Sequence, residues 1–334
     1  MSKHSCEEYA FPCAIVSSRQ NQILSSMDLS KALELETTGQ VLAMLNDFGY
    51  GSSKDIEKED FERVLTKGQH EISKLVFSII PEQEELDFLL LPTDYHNLKV
   101  LLKSEFLGTD SSPYLTEGGR IEPAKLAKMT AERDYVFMSD DMKHGIERAI
   151  ELFAKGRDPQ EIDLVLDRTC YEEMSKSAAA TRNPFLIGYV KLVIDLLNIN
   201  AFIRLREIGK PWAFFQKVFL EGGEIDEKLF TGHYEEAYSQ FADRMAPYGF
   251  RDIFAKGAAA VSTTGKYALL EKLCDDARIR YARDAKYISM GIEPIAGFFI
   301  AKESEIKNLR MILTGKAAGT KAEVIAERLR ETYV

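Results

Sequence analysis

The chain has 334 residues, 45% of them hydrophobic and 29% charged, with a formal net charge of −10. Those proportions describe a globular chain able to bury real cores, and they exclude intrinsic disorder. The acidic balance argues against nucleic acid as a partner and against adsorption to an anionic membrane.

Only 10 prolines, few alternating strand-like runs and apolar residues recurring at helical spacing give an all-α class. In chain order, Ile23, Leu24 and Met27, then Val41, Leu42 and Leu45, carry helical periodicity that ends at Gly49-Tyr50-Gly51, and Ser52 and Ser53 open the next segment. Phe61, Val64, Leu65, Ile72, Leu75, Val76, Ile79 and Ile80 predict an amphipathic helix that stops before Pro81. A long helix over 82–107 follows, with a kink or break at Pro92, whose ring removes a donor and clashes with the preceding turn. Three shorter helices are predicted over 123–176, split near Ser139 and at Arg157-Asp158-Pro159. Asn183 is a good N-cap and Pro184 a good first-turn residue, so 184–208 reads as one helix.

Short helices broken by Gly232, Pro247 and Gly249 fill 224–262. Lys266 to Met290 reads as a single charged helix with Leu269, Leu270, Leu273, Ala277 and Tyr281 in one stripe. Last comes a helix over 294–318.

One pattern occurs three times. An acid, an Asn three residues on and a glycine 11 residues after that Asn appear as Asp94, Asn97 and Gly108, as Asp195, Asn198 and Gly209, and as Glu305, Asn308 and Gly319. Pro184 and Pro294 each precede their acid by 11. The offsets between copies are 101 and 110 residues, which predicts three tandem helical domains, 1–118, 119–222 and 223–334. Acid, Asn and neighbouring leucines share one helical face. A second element repeats as well: Leu115-Thr-Glu-Gly118-Gly119-Arg120-Ile121 is answered by Leu220-Glu-Gly222-Gly223-Glu224-Ile225, predicting a turn with positive φ.

Chemistry is sparse. Gly265-Lys266 and Gly315-Lys316 lack the leading glycine and the Ser/Thr of a phosphate loop. The five histidines stand apart from one another and from the cysteines, so neither a metal nor a cofactor is expected. Cys6, Cys13, Cys170 and Cys274 have no framework spacing, which suits a reducing cytoplasm. The longest apolar stretches, such as Ile292 to Ala301, fall short of the ~20 residues a membrane span needs, and the N-terminus carries no secretory pattern. Asp94, His96 and Asn97 can be drawn as an acid-base cluster, but the His does not recur while the acid and Asn do, as expected of a buried pair that fixes helix register. Trp212, Phe214 and Phe215 form an aromatic cluster after Gly209, either core of the next helix or a partner-facing patch.

Carried by Leu89 to Lys103, Ile194 to Ile199 and Pro294 to Arg310, the chain resembles the C subunit of the archaeal and bacterial V-type ATP synthases, which is similar to the d subunit of the eukaryotic vacuolar enzyme. It departs from that pattern at Pro92 and in the weakly basic Ala14 to Arg19. The resemblance implies a funnel-like protein of three helical domains around a pseudo-threefold axis. It implies a non-catalytic rotor part on the cytoplasmic side of the membrane, seated on the ring of ion-carrying subunits and receiving the central shaft of the ATPase head. Two competing readings are a helical adaptor unrelated to rotary enzymes and an enzyme using the Asp/Asn faces, the latter requiring a deep pocket lined by the repeated polar residues.

Overall fold

The computed structural model describes residues 6–50 and 60–334, so Gly51, Ser52 and Ser53 lie outside the described residues. Every regular element among the described residues is a helix. The chain forms two compact units, one spanning Glu82–Gly232 and the other joining the N-terminal residues up to Pro81 with His233–Val334.

The first unit holds two copies of the repeated pattern. Its first long helix runs Leu91–Leu107, preceded by 3-10 turns at Gln83–Glu85 and Asp87–Leu90. Pro92 is therefore a first-turn residue, where its missing N–H leaves no bond unmade, and the predicted break falls there. Helices Pro123–Glu132, Asp140–Gly156 and Pro159–Thr181 follow. Ser139 and Asp158 cap the last two with their side chains. The second long helix, Pro184–Glu207, begins at an Asn183 side chain that accepts from the Leu186 N–H. Pro159–Thr181 packs against both long helices of this unit.

By length and composition Pro184–Glu207 could cross a membrane, which corrects the reading that every apolar stretch is too short. Its apolar residues are instead protein core: Val190, Val193, Ile194, Ile199, Phe202 and Ile203 are all buried, and Asp195 and Asn198 are buried among them.

The second unit is built on Ile292–Ala317, which starts two residues ahead of Pro294. Phe61–Ile79 and Ala268–Arg283 pack on it, and Phe77 meets Phe299 edge-on at 5.9 Å. Its later turns, through Ile306, Leu309, Ile312 and Leu313, share one core with Leu29, Val41, Leu42, Leu45, Val64 and Leu65. Two expectations need correction here. Ile23 and Leu24 lie in the extended link before the helix Ser26–Glu34, and Met27 is exposed. The charged helix is shorter than predicted, Ala268–Arg283, and its buried line is Leu270, Cys274, Asp276, Ile279 and Ala282, whereas Leu269 faces solvent. On that inward face Asp276 accepts from the Glu331 N–H at 2.7 Å.

Candidate functional site

Each repeated Asn clamps the chain that returns past its own long helix. The Asn97 carboxamide donates to the Thr116 carbonyl and accepts from the Thr116 N–H, both at 2.8 Å. Asn198 does the same with Leu220, at 2.8 and 2.9 Å. Asn308 holds Arg330 by the same two bonds, at 3.2 and 2.8 Å. All three side chains are buried, and an amide carries its donor and its acceptor on separate atoms, so one side chain serves both backbone groups of a single residue.

The acid one turn earlier binds the same returning segment a few residues further on. Asp94 accepts from the N–H groups of Arg120 and Ile121 at 3.2 and 3.1 Å, and Asp195 from those of Glu224 and Ile225 at 3.0 and 3.1 Å. Close approach explains the paired glycines. A Cβ on Gly119 would lie 2.1 Å from Asp94 Oδ1, and one on Gly223 equally close to Asp195 Oδ1, while Gly118 and Gly222 take φ of 95° and 102°. Burial raises the pKa of both carboxyls, that of Asp94 to about 6, against the opposing pull of the N–H groups that bind them.

In the third copy the acid is a Glu and its partners come from elsewhere. Glu305 accepts from the Leu24 N–H at 2.5 Å, the Tyr50 hydroxyl at 2.6 Å and Lys302 Nζ at 2.6 Å. Lys302 also donates to the Gln22 carbonyl at 2.6 Å. The N-terminal segment therefore takes the place filled in the other copies by the residues after the glycine pair. Lys302 stands where copies one and two have Leu91 and Leu192, so a cation at an apolar position three residues before the acid was the signal available for this pair.

The first copy carries an addition that the repeat did not announce. Arg120 pairs with Asp87 and Asp94 at 3.4 Å each and with Glu173 at 3.0 Å, and the Tyr95 hydroxyl donates to Glu173 at 2.6 Å. Burial pushes the Tyr95 phenol up and raises Asp87 as well. His96 is exposed, with Nε2 3.2 Å from the Tyr114 carbonyl, outside any acid-base arrangement with Asp94.

The aromatic cluster divides. Trp212 is 48% exposed, and Phe214 is half-buried with Lys210 Nζ 5.2 Å above its ring. Phe215 is not partner-facing: it is fully buried against Phe202, Phe219 and Phe230, with ring centres 5.3–5.8 Å away. Cys13, Cys170 and Cys274 are buried thiols outside any disulfide, and burial pushes the Cys170 thiol up.

These constellations use their polar capacity internally. Glu305 and Asn308 border a cavity of only about 10 Å³, too small for a substrate and barely the size of one water. Among the described residues no three His, Cys, Asp or Glu side chains converge as metal ligands would. What the arrangement does is fasten each long helix to the chain around it, with the C-terminal end of each helix exposed. The closing glycines Gly108, Gly209 and Gly319 have φ of 66°, 69° and 65°, and the residue before each, Leu107, Ile208 and Ala318, is exposed.

The model of the ATP synthase (C/AC39) subunit family matches residues 12–328. Similar curated proteins include the C subunit of the V-type sodium ATPase of Enterococcus hirae, 24% identical over 82% of this chain and 83% of that one. The C subunit of the A-type ATP synthase of Thermococcus kodakarensis is 22% identical over 97% and 90%, and that of Methanosarcina acetivorans 26% over 73% and 70%. With the family's match running through all three clamped helices, the chain belongs to the ATP synthase (C/AC39) subunit family.

Proposed function

We propose that the chain is a non-catalytic rotor piece of a V- or A-type ATPase, joining the central shaft of the soluble head to the membrane ring of ion-carrying subunits on its cytoplasmic side. In this reading it comprises three similar helical domains around a pseudo-threefold axis, and it transmits torque without binding nucleotide or metal. The observation that carries the proposal is the clamp formed three times, by Asn97, Asn198 and Asn308, inside a chain matched by this family from residue 12 to 328. A body that passes torque needs stiffness between its faces, and buried two-bond clamps on three long helices supply it. The exposed Leu107, Ile208 and Ala318, one residue before each closing glycine, give equivalent points for contact.

Reconstitution of the enzyme into vesicles with and without this protein tests the proposal, with ATP hydrolysis and ion flux followed together. Without it, hydrolysis by the head should persist while ATP-driven ion transport stops, and raised salt should weaken its rejoining. Undiminished coupled transport in its absence would eliminate the rotor reading.

A further inference from the structure

On the second unit, a groove of about 580 Å³ runs beside the C-terminal half of Ile292–Ala317. One wall is a helix face: Lys307, Arg310, Met311, Thr314 and Ala318 recur every three or four residues along three turns, about 16 Å. The other wall is Val324, Ile325 and Arg328, brought close because Gly315 has no side chain: a Cβ there would lie 2.6 Å from Ile325 Cδ1. Met311, Ala318, Val324 and Ile325 make an apolar floor, and Val324 is 43% exposed.

The rim is cationic in a chain whose net charge is −10. Lys307 and Arg330 share Asp275, at 3.3 and 2.9 Å, and Arg310 pairs with Glu62 at 3.0 Å. Arg328 is exposed and forms no ion pair among the described residues. Four cations thus face two carboxylates around an apolar strip about as long as three helical turns. A strip whose wall follows helical spacing matches the ridge of a second helix, and the surplus of positive charge selects acids on that helix.

We infer that this groove holds an amphipathic helix of another subunit of the complex, with small apolar residues against Met311, Ala318 and Val324 and carboxylates toward Arg310 and Arg328. The assignment rests on the chain's being one subunit of a larger complex and holds whether or not it transmits torque.

The test is photocrosslinking in the assembled, membrane-bound complex, with p-benzoylphenylalanine replacing Val324 and, separately, Thr314 on the facing wall. Both positions should crosslink to one segment of another subunit, carrying Asp or Glu at spacings of three or four. Arg328→Glu should lower the yield about tenfold, and reversing the charge of an acid in the captured segment should restore it. Crosslinks only to lipid, to a second copy of this chain or to a segment without acids would overturn the inference. So would different segments from the two positions, protection by inorganic phosphate or ATP at millimolar concentration, or an unchanged yield with Arg328→Glu.

Discussion

Asn198 and Leu220 exchange two hydrogen bonds across 22 residues of chain, the side-chain amide of one holding both backbone groups of the other. Leu cannot replace either bond, so Asn198→Leu leaves a buried N–H and a buried carbonyl unpaired. At about 1–3 kcal/mol for each such group, the variant should lose roughly 2–6 kcal/mol of stability. Urea unfolding of both proteins measures it, and Asn97→Leu and Asn308→Leu should lose less, because Thr116 and Arg330 are only part-buried and water can take up their freed groups. An unchanged midpoint would mean that the clamp is dispensable.

A second prediction separates two reasons for glycine. At Gly209 a Cβ meets nothing within 4 Å, so Gly209→Ala pays only for a φ of 69°, about 1 kcal/mol. At Gly223 the added carbon would sit 2.1 Å from Asp195 Oδ1, and Gly223→Ala should lose about 1–3 kcal/mol by overpacking and by displacing the carboxylate from its two N–H donors. In an Asp195→Ala background the penalty of Gly223→Ala should shrink, because the atom it strikes is gone. Equal penalties in both backgrounds would show that the clash is not the cause.

Much of this was legible in the sequence, because the acid, the Asn and the neighbouring leucines share one helical face and the closing glycine follows at fixed spacing in every copy. The paired glycines were legible too, since only they let the chain come this close to Asp94 and Asp195. Other parts had no local signal. Glu305 finds its donor at Leu24, 281 residues away, and no periodicity links the two. Arg120 occupies the position of Glu224 in the second copy, so its network with Asp87 and Glu173 breaks the repeat and could not be inferred from it. Leu269 and Leu270 are equally apolar, and residue type does not tell which of them turns inward, where Leu270 is buried and Leu269 exposed. Phe215 could not be told from Trp212 by residue type; Phe202 and Phe230, from two other helices, close over one and leave the other open.

Asp94 gives the stability a pH signature. Its pKa is raised by burial from 3.8 in the unfolded chain to about 6 in the fold, so the folded state holds the proton more tightly between those values. Stability contributed by this group is therefore present at and below about pH 4, falls as pH rises through the window, and stays lost above about pH 6. A shift of this size corresponds to about 2–3 kcal/mol. Asp94→Asn removes the titration, so on going from pH 4 to pH 7 the unmodified chain should lose that much stability relative to the variant. Urea midpoints of the pair at several pH values provide the measurement, and parallel curves would refute the shift.

The buried ion pair of Lys302 and Glu305 permits the sharpest test of how the third copy is held. Both side chains are within 4% of complete burial, 2.6 Å apart, and the pair is enclosed by the Gln22 carbonyl, the Leu24 N–H and the Tyr50 hydroxyl. Removing one charge leaves the other uncompensated in a medium that solvates it poorly. Lys302→Met should therefore lose about 3–5 kcal/mol. Adding Glu305→Gln to it should recover a good part of that loss, since the amide oxygen can still accept from the Leu24 N–H while its NH2 donates to the Tyr50 hydroxyl, and no charge is stranded. The same Glu305→Gln change made alone strands Lys302 and should be destabilising. A double-mutant cycle by chemical unfolding therefore predicts a coupling of opposite sign to the single losses. If the two losses simply add, the pair is not what ties residues 22–24 to the third long helix.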